Sequence, residues 1–88
     1  MASLADNAVA QDPRNALTRT QQDALKAIAF FRRQRKTGSR WLVGDKRISQ
    51  KVVSDLEKLD LVDEGRVRSE SVLVLTTAGN LAVDRLGH

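Results

Sequence analysis

The reading turns on residues 48–62, ISQKVVSDLEKLDLV. Ser49 carries the hydroxyl that a helix start uses to satisfy a first-turn backbone N–H. Ile48, Val52, Leu56 and Leu59 recur at steps of four, four and three, which places them on one face of a helix. Gln50, Lys51, Ser54, Asp55 and Lys58 fall mostly on the opposite, wet face. The helix is expected to end near Asp60, where Leu61 and Val62 open an extended run.

Upstream, Leu17-Thr18-Arg19-Thr20-Gln21 reads as a second helix start. Thr18 with Gln21 fits a capping box, and Thr20 with Asp23 is a further candidate. Leu17 precedes the cap and can pack back on the first turns. Ala24, Leu25, Ala27, Ile28 and Phe31 form the apolar stripe, and the helix is expected to reach Gln34 or Arg35. Phe30 lies off the centre of that stripe; it joins the core, or it covers a neighbouring element or a partner subunit. Arg32, Arg33, Arg35 and Lys36 would sit on the last turn, at the negative end of the helix dipole. Gly38 suits the left-handed position that ends a helix. Trp41-Leu42-Val43 is a brief strand or the start of a short second helix, and Gly44-Asp45 is a turn. Residues 1–16 lack periodicity and contain Pro13, so they read as a flexible or weakly ordered arm ahead of a domain at 17–88.

Downstream, residues 62–76 read as a β-hairpin, strongest at Val72-Leu73-Val74-Leu75. Its bend falls at Glu64-Gly65 or at Arg68-Ser69-Glu70-Ser71. Thr76 or Thr77 caps a last helix with Ala78, Leu81, Ala82 and Leu86 on its apolar face. Gly79 is tolerated in its first turn, and Gly87 stops it.

Eighty-eight residues hold one domain. With no cysteine, there is neither a disulfide framework nor a zinc–thiolate site. The sole histidine is His88. No apolar run is long enough to span a membrane, and the first residues carry no basic and apolar leader pattern, so a cytoplasmic setting is expected. The net charge of +4 is uneven: residues 17–47 carry nine cations against two acids, while residues 48–88 carry five against seven. A basic segment of this kind is a footprint for a polyanion or a solvated face. No glycine-rich phosphate loop, nucleophile elbow or acid/base pair in a pocket is apparent, so neither enzymatic activity nor a cofactor is expected.

Two stretches, Leu56-Glu57-Lys58-Leu59-Asp60-Leu61-Val62 and Leu73-Val74-Leu75-Thr76-Thr77-Ala78-Gly79, resemble winged helix-turn-helix proteins of the MarR-like and PadR-like style. Leu17-Thr18 with Gln21 and Leu25 is similar to that family's first helix, so the resemblance covers residues 17–86. It implies an α+β fold, three helices plus a β-hairpin wing. The chain departs from the pattern in two places. Only residues 41–47 are available for the usual second helix, and Asp60 stands where a glycine normally follows the recognition helix.

The resemblance implies a DNA-binding transcriptional regulator with helix 49–59 in the major groove. Arg47 and Lys51 would meet phosphate or guanine, Gln50 would read adenine, Ser54 would serve either role, and Ser49 belongs to the same DNA-binding set. Arg40 and Lys46 would add to the positive rim, and Arg66 and Arg68 would reach the backbone or minor groove from the wing. Such a regulator binds double-stranded DNA, associates with the nucleoid, and often forms a homodimer through terminal helices. The alternative is a winged-helix protein-interaction module, an adaptor or anti-activator, docking a protein through Phe30, Arg32, Arg33, Arg35, Lys36 and Trp41.

Overall fold

Thr18, Ser49 and Thr76 each start a helix. The computed structural model describes residues 8–31 and 34–87. In chain order they form α1 (Ala8–Gln11), α2 (Pro13–Ala16), α3 (Arg19–Phe30), β1 (Gln34–Thr37), β2 (Arg40–Val43), β3 (Lys46–Ser49), α4 (Gln50–Lys58), β4 (Val62–Val67), β5 (Glu70–Leu75) and α5 (Thr77–Leu86). The result is an α+β domain with a three-stranded antiparallel sheet, β1-β2-β3, and a two-stranded one, β4-β5.

Each cap works through its hydroxyl. Thr18 Oγ1 accepts from the Gln21 N–H at 3.1 Å while the Gln21 side chain accepts from the Thr18 N–H at 2.9 Å, completing the capping box of α3. Ser49 Oγ accepts from the Val52 N–H at 3.3 Å, and Thr76 Oγ1 from the Gly79 N–H at 2.9 Å.

The largest difference from expectation lies between α3 and α4. Helix α3 stops at Phe30, not at Gln34 or Arg35, and Phe31 is already extended. Residues 34–49 are a three-stranded meander, so no second helix separates α3 from α4 among the described residues. Trp41-Leu42-Val43 is a strand. Arg35 and Lys36, expected on a helix end, lie on β1, whereas Arg32 and Arg33 lie outside the described residues. The turns explain why pairing wins. Gly38-Ser39 and Gly44-Asp45 each join two strands through two residues, with Gly38 at φ 60° and Gly44 at φ 62°. Glycine at the first central position matches the twist of the flanking strands. Gly38 is left-handed as expected, but it opens a hairpin instead of closing a helix.

The end of α4 follows a Schellman pattern. The Asp60 N–H donates to the Glu57 carbonyl and the Leu61 N–H to the Leu56 carbonyl, both at 3.0 Å, with Asp60 at φ 62°. Leu56 and Leu61, the apolar pair of this motif, are both fully buried. Val53, not Val52, is the other fully buried residue of α4, and Val52 and Leu59 are only half-buried. Ile48 is buried, but from β3.

The hairpin turns at Arg68-Ser69, where both residues have positive φ, 54° and 69°, as a type I′ turn requires. From β5 the chain returns to α4: the Thr76 N–H donates to the Leu61 carbonyl at 3.1 Å and Thr76 Oγ1 donates to the Asp60 carbonyl at 2.6 Å. A Cβ on Gly79 would run into the Leu61 carbonyl oxygen, so Gly79 is required by this close approach and not merely tolerated. The core runs from Leu25 and Ile28 through Trp41, Val43, Val53 and Leu56 to Leu73, Ala82 and Leu86. Residues 8–16, read as a flexible arm, carry two helical turns that lie on α5. Ala10 and Pro13 are buried there, and Arg14 Nη2 donates to the Leu86 carbonyl at 3.2 Å. Among the described residues, no helix is long and apolar enough to cross a membrane.

Candidate nucleic-acid interface

The meander has two chemically distinct faces, and its register says which residue belongs to which. Trp41 pairs with Ile48 and Lys36, and Val43 with Gln34 and Lys46. Trp41, Val43 and Ile48 are buried, so this is the inner face. Side chains alternate along a strand. The outer face therefore holds two cross-strand rows, Arg35–Leu42–Arg47 and Thr37–Arg40–Ser49. All six residues are exposed. No carboxylate belongs to either row, and none among the described residues lies within ion-pair distance of the three arginines.

Charge is divided by element. Residues 34–49 carry five cations and one acid; α4 carries two of each; residues 62–75 carry two cations and three acids. Of these three stretches the meander is the cationic one, with the start of α4 next to it through Ser49, which caps the helix opposite Arg40. Lys51 is exposed on the first turn of α4.

The structure brings together some of the expected residues and separates others. Arg40, Arg47, Ser49 and Lys51 cluster at the junction of sheet and helix. Lys46 belongs to the inner side, near Asp23, Lys26 and Phe30 of α3. Gln50 and Ser54 do not present free side chains. The Trp41 Nε1–H donates to Gln50 Oε1 at 3.1 Å, and Gln50 Nε2 donates to Ser54 Oγ at 3.2 Å. Both residues are half-buried in this chain of bonds. Arg66 and Arg68 are exposed on the hairpin, among its acids.

The expected docking set changes as well. Trp41 is fully buried and cannot meet a partner. Lys36 is engaged, 5.6 Å from the Trp41 ring centre and 3.6 Å from Glu64 Oε1. Phe30 remains 75% exposed, packed edge-on against Phe31. Arg35, expected beside these residues, instead stands in a row with Arg47. The signal that would have moved it is the pair of Gly-X turns flanking four-residue runs, a hairpin signature.

The two sheets meet edge to edge. Gln34 Nε2 donates to the Leu73 carbonyl at 3.0 Å, and the Leu73 N–H donates back to Gln34 Oε1. Beside this seam an open groove of about 700 Å³ runs between Arg35 and Leu42 on one side and Val67, Arg68, Glu70 and Val72 on the other. Comparison of the chain with protein-family models, curated proteins and solved structures gives no match.

Proposed function

We propose that this protein is a DNA-binding regulator that uses α4 as its recognition helix and the β4–β5 hairpin as its wing. The observation that carries the reading is the group of uncompensated cations around the start of α4: Arg40 and Arg47 on the sheet, Lys51 on the first helical turn. The exposed start of a helix flanked by arginines suits a phosphate-lined groove. With Gln50 bonded to Trp41 and Ser54 bonded to Gln50, base contact falls to Lys51, and recognition leans on phosphates. Fluorescence anisotropy with a mixed-sequence duplex at 50 mM salt is the direct test. Saturable binding that weakens as salt rises supports the reading, since each phosphate contact releases counterions; absence of binding removes it.

A second reading has its own observation. Phe30, exposed at the end of α3 beside Lys26 and Lys46, suits a protein partner. Phe30→Ser abolishing co-purification of a cellular partner, in a chain that binds no duplex, would favour it.

A further inference from the structure

We infer that the outer face of the β1–β2–β3 meander is the seat of the duplex phosphate backbone, with Arg35, Arg40 and Arg47 as its contacting cations. This deepens the DNA-binding reading and rests on it.

The argument begins with spacing. Neighbouring strands lie about 4.8 Å apart and alternate residues on one strand about 6.8 Å apart. Arg35 and Arg47, two strands apart in one row, therefore have bases roughly 10 Å apart, with Arg40 about 8 Å from each. A span of about 10 Å covers roughly three base-pair steps along the duplex axis at 3.4 Å of rise each, so the three arginines can reach separate phosphates. Arginine side chains are long enough to adjust the remainder, and the planar guanidinium pairs with phosphate through two N–H groups.

Three further observations select the ligand. Leu42 separates Arg35 from Arg47 in their row, and Thr37 and Ser49 flank Arg40, so the two rows mix cations with hydroxyl donors and contain no acid, while Glu70 of the hairpin lines the groove beside Arg35. Phosphate-contacting surfaces draw on these residue types. The hairpin and α4 lack the charge for the task, at net −1 and zero. Finally, the face bears no aromatic side chain: Trp41 is buried beneath it, and Phe30 and Phe31 stand at the end of α3. Single-stranded nucleic acid is held largely by stacking on aromatic rings. A flat cationic face without rings suits a duplex.

The test compares salt dependence of binding to one 20-base-pair duplex in the full chain and in the triple variant Arg35→Gln/Arg40→Gln/Arg47→Gln. Losing three phosphate contacts should flatten the log–log salt slope by about 2.7 and weaken binding on the order of 10²-fold near 0.1 M salt. The variant Arg19→Gln/Lys26→Gln/Arg85→Gln removes the same charge elsewhere and should leave the slope almost unchanged. Arg35→Lys/Arg40→Lys/Arg47→Lys should retain most of it. Each single Gln variant should flatten it by about 0.9, which keeps the test decisive if the triple variant folds poorly.

Wild-type binding with an unchanged slope in the Gln triple, but a slope lost on changing Lys51, Arg66 and Arg68, overturns the meander seat and leaves the DNA reading standing. No wild-type binding to the duplex overturns both. Tighter binding to a single strand of equal length, or to poly-glutamate in place of DNA, overturns the duplex assignment.

Discussion

Asp60 holds a backbone conformation that side chains resist, and it does so where α4 must reverse into β4. At φ 62° it gives up some stability, because a Cβ crowds the following carbonyl in the left-handed region. Asp60→Gly should stabilise the fold by about 0.5–1 kcal/mol, and Asp60→Val should destabilise it by about 1–2 kcal/mol, read as shifts in urea midpoint. Gln50 is the second residue whose role the structure defines. Its amide links the buried Trp41 indole to Ser54, so Gln50→Ala leaves an indole N–H without its acceptor. A loss of about 1–3 kcal/mol is expected, with a melting temperature lower by roughly 4–8 °C for each kcal/mol. If Gln50 acted mainly on adenine, the melt would hardly move and sequence preference would change instead.

At the scale of elements, the meander depends on two glycines that differ in their surroundings. Gly38 has open space around its missing Cβ, whereas a Cβ on Gly44 would strike the Phe31 ring. Gly38→Ala should therefore cost about 1 kcal/mol, the backbone component alone. Gly44→Ala should cost about 2–4 kcal/mol, because overpacking adds to it. Equal losses in denaturant titration would show that Phe31 simply moves aside. These turns also mark where the sequence was hard to read. Helix starts were legible because a cap is local: Thr18 with Gln21, Ser49 with Val52 and Thr76 with Gly79 lie within one turn. The left-handed Asp60 was legible for the same reason. The end of α3 was not. Its apolar stripe continues through Phe31, and Arg35 and Lys36 favour a helix end, so local preference argued for more helix than pairing with β2 permits. The candidate interface divides in the same way. Arg40, Arg47 and Lys51 could be named from their place beside Ser49. Arg35 joins them only once the strand register is known, and the burial of Trp41 and the capture of Gln50 follow from that register too.

At the scale of the whole molecule, the first described turns help cover the C-terminal helix. Ala10 and Pro13 are buried, and the Arg14 guanidinium meets the Leu86 carbonyl beyond the last turn of hydrogen bonding. Removing residues 1–16 uncovers part of the apolar side of α5, and a loss of roughly 2–3 kcal/mol is expected at about 25 cal/mol per Å² of newly wetted apolar surface. An unchanged denaturation midpoint would mean that these turns contribute nothing to the fold. The same truncation should leave duplex affinity intact, since it touches none of the meander arginines.

The seam at Gln34 has a consequence for how copies of this chain behave in a crowded solution. A strand at the rim of a sheet offers unpaired N–H and C=O groups on which another chain can build. Here the Gln34 amide uses one N–H and its carbonyl oxygen to occupy both groups of Leu73, standing in for a neighbouring peptide. It works as a stopper against intermolecular strand addition. Gln34→Ala should expose Leu73 within an apolar Val72-Leu73-Val74-Leu75 run, and light scattering should rise during incubation at temperatures where the wild-type chain stays clear.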